Sequence, residues 1–88
     1  MPTILMTAKL EKPFSDWVKV FDGHKPARQA AGIRDIYRGH QLDAPDTIHV
    51  LMSVPSVEAL EAFIAEHSET IKSSGHNIES TKATVCSD

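Results

Sequence analysis

A single α+β domain, with elements in the order β-α-β-β-α-β, is what three features of this 88-residue chain predict. An alternating aliphatic segment opens it, two more flank a short turn at its middle, and one stretch of helical periodicity lies on each side of that pair, the second followed by a last strand. The length suits one domain whose core is thin for its surface.

Taken in order, "TILMTAKL" (3–10) alternates Ile4, Met6, Ala8 and Leu10 against Thr3, Thr7 and Lys9, the period of a strand. Pro13 then admits a helix, with Ser15 as its expected N-cap and Asp16 in the first turn. Phe14, Trp17, Val18 and Phe21 fall on one face of that helix. Within "FDGHKPARQAAGI" (21–33), Gly23 and Pro26 interrupt it, and Gly32 closes it in the C′ position. Two strands follow, 33–42 and 47–54, around the turn "DAPD", and so short a loop makes them antiparallel. The second helix, 55–67, has Ser56 as its cap, Glu58 in the first turn and a stripe of Val57, Leu60 and Ile64. It continues or restarts through "SETIKSSG", with Gly75 as the stop, and residues 76–85 form a weaker last strand. His67 and His76, beside turns, are expected to be exposed. This is the ferredoxin-like arrangement, a four-stranded antiparallel sheet with two helices on one face. Leu5, Ile36 and Leu51 then fall on the uncovered face, and a second copy of the chain is the economical cover.

The composition removes several classes of function. A net charge of −3 and a pI near 5.9 recruit no nucleic acid, and no Lys/Arg cluster suggests a membrane surface. Base stacking on this fold needs aromatics on the central strands, and "TIHVLMSV" has none. The lone Cys86 makes neither an intrachain disulfide nor a zinc knuckle, and no cofactor or metal is implied. The first ten residues lack the pattern of a signal peptide, so a cytoplasmic address is the default expectation.

His24 and Arg28 bring an imidazole and a guanidinium to the edge of the face marked by Trp17 and Phe21. A buried, unpaired Arg is costly, so Arg28 needs a carboxylate, open water or an anionic ligand. A structural ion pair and the wall of a polar pocket are both open readings. If Leu42 pairs with Thr47 around a four-residue loop, Tyr37 shares the helix-facing side with Ile48, Val50 and Met52 and joins that pocket. The same register sets His40 opposite His49, on the open face with Arg38 and Leu51, where all four are expected at a subunit interface. Two histidines without a third ligand fall short of a metal site.

The segment "GIRDIYRGHQLDAPDTIHVLMSVPSVEALEAFI" (32–64) resembles the dimeric α+β barrel superfamily, which includes the antibiotic-biosynthesis-monooxygenase-like proteins. The "FDGHKPARQAAGI…YRG" region is similar to that of the superfamily's small uncharacterised members. The resemblance implies a homodimer that either binds a small molecule or acts as a cofactor-free oxygenase. Oxygenase-type members often carry Trp at the end of the third strand, where this chain has Val54, and His in the second helix, where it has Phe63. The leading expectation is a homodimer binding a small anionic or aromatic ligand between helices and sheet, through Trp17, Phe21, His24, Arg28 and Tyr37. A monooxygenase-like or isomerase-like enzyme and a self-associating scaffold without a ligand are the alternatives.

Overall fold

The computed structural model describes residues 1–88. Four strands, β1 (Thr3–Leu10), β2 (Arg34–His40), β3 (Thr47–Ser53) and β4 (His76–Cys86), form one antiparallel sheet in the order β2-β3-β1-β4. Each expected helix is two: α1 (Phe14–Gly23) and α2 (Lys25–Ala30) between the first strands, α3 (Val57–Glu66) and α4 (Ser68–Ser73) before the last. The order is therefore β-α-α-β-β-α-α-β, the ferredoxin-like plan with each helical arm jointed once. No helix is long and apolar enough to cross a membrane.

The core forms where the alternating face of the sheet meets the helical stripes. Ile4, Met6, Ala8 and Leu10 of β1 and Ile48, Val50 and Met52 of β3 are buried against Trp17, Leu60 and Phe63. Val54, beyond β3, is fully buried as well.

Local chemistry fixes the helix ends. Pro13 rather than Ser15 stands at the start of α1: its carbonyl accepts from the N–H groups of Asp16 and Trp17, and no side chain caps the helix. Ser15 is helical and exposed. Ser56 does cap α3, its Oγ accepting from the N–H of Ala59 at 3.1 Å. After α2, Gly32 adopts φ +81°, Ile33 N–H donates to the Arg28 carbonyl at 2.9 Å and Gly32 N–H to that of Gln29 at 3.0 Å. That pair of bonds is a Schellman closure, and it needs a left-handed residue at its second-last position.

The β2–β3 hairpin departs from the expected register. Gln41 N–H donates to the Thr47 carbonyl, so Leu42 belongs to a five-residue loop and stands 93% exposed. The pairing slips by one residue: Gly39, not His40, lies opposite His49, and His40 lies opposite Ile48. A one-residue slip moves each side chain to the other face. Tyr37 therefore pairs with Leu51 on the open face, 55% exposed and folded over Gly39. Arg38 and His40 turn to the helix side, where Arg38 grips Asp22 of α1 and His40 meets the Phe14 ring edge-on at 4.6 Å. Of the four residues expected at the open face, only Leu51 and His49 lie there; His49 bonds Thr7 of β1 and Gln41, not His40.

Both outer strands are irregular. A bulge at Ile36 separates the Asp35↔Met52 and Tyr37↔Leu51 pairs. In β4 the ladder with β1 shifts between Thr7 and Lys9, and there the Ser80 hydroxyl, not a carbonyl, accepts the Lys9 N–H at 2.8 Å.

A Cβ at Gly32 would meet Pro55 Cγ at 2.9 Å as well as force a side chain into the left-handed region. Gly32→Ala should lower stability by about 1–2 kcal/mol, and Ser56→Ala by about 1 kcal/mol, both read by urea unfolding. Wild-type stability in either variant would remove that residue from the account.

Candidate functional site

Where the two jointed arms cross the sheet, packing leaves a cavity of about 230 Å³. Its walls are mainly apolar: Trp17, Val20 and Phe21 from α1, Met6 and Met52 from the sheet, and Leu60 and Ile64 from α3. Polar groups reach it at few points. His24 and Arg28 come from the first arm, Thr70 and Ser74 from the end of the second, and His76 and Thr81 from β4.

Arg28 lies within this wall at 4% exposure, yet it is fully engaged. Its Nε and Nη2 donate to the two carboxylate oxygens of Asp35 at 2.9 and 2.8 Å. Nη1 donates to the Phe21 carbonyl at 2.8 Å, and Cζ lies 3.7 Å over the centre of the Phe21 ring. That carbonyl also accepts the His24 N–H at 3.2 Å, so the guanidinium is its second donor. The bulge at Ile36 turns Asp35 toward the helices. Arg28 is thus a structural ion-pair member, and its charge needs no anionic ligand.

His24 is different. It terminates α1 and precedes α2, and neither ring nitrogen has a hydrogen-bond partner within the chain. Its ring packs on Phe63 at 5.5 Å between centroids and meets His67 edge-on at 4.7 Å. Burial, then the neighbouring charges of His67 and Arg28, lower its pKa below 6.5. Neutral imidazole offers one donor and one acceptor.

Of the five residues expected to line the pocket, Trp17, Phe21, His24 and Arg28 do so. Tyr37 does not, because the hairpin register puts it on the opposite face. His76, expected to be exposed, is half-buried in the cavity wall, its Nε2 2.7 Å from the Thr81 hydroxyl and its pKa lowered by burial. The signal for it was the alternation with Ile78, two residues on, which puts both on the core face. His67, also expected to be exposed, is half-buried against Phe63 and His24.

The family described as "Domain of unknown function (DUF3764)" matches residues 1–88. No curated protein matches the chain. Among solved structures, a candidate antibiotic biosynthesis monooxygenase from Bordetella bronchiseptica superposes with a TM-score of 0.74 at 15% identity, over 99% of this chain and 96% of that one. An antibiotic biosynthesis monooxygenase aligns with a TM-score of 0.66 at 10% identity, over 100% and 98% of the two chains. A third, from Nitrosomonas europaea, gives 0.59 at 7% identity over 99% and 88%. The fold is that of the antibiotic-biosynthesis-monooxygenase-like α+β barrel proteins.

Two tests follow from the geometry. Arg28→Ala strands a half-buried carboxylate and Asp35→Asn a buried cation, so the second should cost about 3–5 kcal/mol and the first less, with the double variant costing less than their sum. Additive losses would mean the two do not depend on each other. The histidines set a second expectation. Their folded pKa values lie below 6.5, so the unfolded chain takes up protons first as pH falls. Their contribution is complete above pH 6.5 and is lost as pH drops beneath it. Urea midpoints should fall from pH 7 to pH 5, and more shallowly in the His24→Gln/His76→Gln double variant; an identical slope would refute the assignment.

Proposed function

The chain belongs to the DUF3764 family of domains of unknown function, and from its own cavity we propose that it binds a small, largely apolar molecule between helices and sheet. One observation carries this: a ligand-sized apolar cavity into which His24 brings an imidazole with no partner of its own. A cavity of ~150 Å³ accepts benzene, so the space here suits one or two rings. Protein interiors are otherwise close-packed. Trp17 and Phe21, stacked with centroids 4.8 Å apart, supply a flat apolar wall. With Arg28 neutralised by Asp35, the polar recognition falls to His24, and a hydroxyl or carbonyl on the ring system is the group it would hold. Aromatic rather than anionic is therefore the ligand character favoured.

The working unit is a homodimer. Leu5, Tyr37 and Leu51 share the uncovered face of the sheet, with Leu5 44% exposed. A second copy laid on that face would bury them. A cofactor-free monooxygenase-like reaction is the second reading, favoured by a neutral imidazole able to take a proton from a bound phenol. Solved neighbours described as antibiotic biosynthesis monooxygenases are compatible with it.

Binding of 2-naphthol, followed by calorimetry at pH 7.5, should be saturable. It should weaken about 3–10-fold in His24→Gln, the scale of one neutral hydrogen bond, and vanish in Ile78→Trp, which fills the cavity. No saturable binding of one- or two-ring compounds would sink the cavity reading. Sedimentation should give about twice 9.7 kDa, and Leu51→Asp, which desolvates a carboxylate at the interface, should give monomer.

A further inference from the structure

Both helical arms break at a histidine. His24 ends α1 and precedes α2, His67 ends α3 and precedes α4, and both have near-zero ψ (3° and 19°). The two joints meet: the rings stand edge to face at 4.7 Å, and both pack on Phe63, at 5.5 Å from His24 and 4.4 Å from His67. Only His24 lines the cavity, while His67 and Phe63 stand behind it. The other three of the five histidines have hydrogen-bond partners: His40 the Gln41 carbonyl, His49 both Thr7 and Gln41, His76 the Thr81 hydroxyl. His24 and His67 have none, so packing against each other and Phe63 is what orients them.

We propose that His67 is the positioning residue for His24: from the joint of the second arm it holds the His24 ring on the cavity wall, and the two imidazoles meet a bound molecule as one unit. This rests on the cavity being the binding site. The charges facing the pair are few. Arg28, already matched by Asp35, approaches His24 from α2, and His76 faces the same cavity from β4. Two imidazolium ions in ring contact repel, so the first proton taken up by the pair opposes the second. His67 stands outside the cavity wall, and a charge on it opposes protonation of His24, which faces the ligand.

Proton NMR titration of the imidazole Cε1–H signals tests the coupling. In His67→Gln, and in His67→Phe, which keeps the packing on Phe63, the His24 midpoint should rise by about half a pH unit, the repulsion of unit charges ~5 Å apart at high dielectric. The affinity for 2-naphthol, which stays neutral below pH 8, should fall on acidification in the wild-type protein, with a midpoint that follows His24 upward in both His67 variants. Unmoved or lowered midpoints in well-folded variants overturn the proposal. Coupled midpoints without naphthol binding support the pair and overturn the cavity as its ligand site.

Discussion

Much of the structure hangs on one buried ion pair, Arg28 with Asp35. An uncompensated guanidinium at this depth would cost several kcal/mol, so every element around it has to present a partner. The Phe21 carbonyl at the end of α1 accepts from it, the Phe21 ring lies flat beneath the guanidinium, and the bulge at Ile36 rotates Asp35 inward. Remove the bulge and Asp35 would face away from the helices, with Ile36 in its place. The end of α1, helix α2 and the bulge of β2 therefore meet in a single contact, which ties the first arm to the edge strand. A second pair, Arg38 with Asp22, repeats the link one turn away at the surface, where it contributes little to stability.

That contact also decides the character of the cavity. Had Arg28 lacked a carboxylate, it would have drawn an anion into the wall. Paired, it contributes a flat, charge-neutral patch, and the remaining polar groups are hydroxyls and imidazoles. Burial keeps His24 and His76 in the neutral form around pH 7, so the cavity presents dipoles rather than ions to whatever enters it.

Periodicity made the strands, the jointed helices and their closing glycines legible, because alternation, Pro26, Gly32 and Gly75 each act through local sterics. Trp17, Phe21, His24 and Arg28 were legible for the same reason: helical spacing alone puts them on one face. The hairpin was not. Leu42 carries the aliphatic character of a strand residue, but sits at 93% exposure in the loop, and that one residue sent Tyr37, Arg38 and His40 to the faces opposite those expected. Nor could the bulge at Ile36 be read, since it answers to Arg28, a partner in another element. Tertiary contacts of this kind leave no trace in local pattern. His67 and His76 were misjudged by their nearness to turns, although alternation with Ile78 already pointed His76 inward.

The two irregular outer strands have a consequence for how molecules of this protein can meet. A regular outer strand carries an unbroken row of N–H and C=O groups and can recruit a further strand, then another, into an open-ended polymer. Here one outer strand is bent by the Ile36 bulge, and the other slips in its pairing with β1 where the Ser80 hydroxyl accepts the Lys9 N–H. Neither outer strand is the regular, flat edge that such growth needs. The broad face of the sheet, with Leu5, Tyr37 and Leu51, is the surface left to the proposed homodimer.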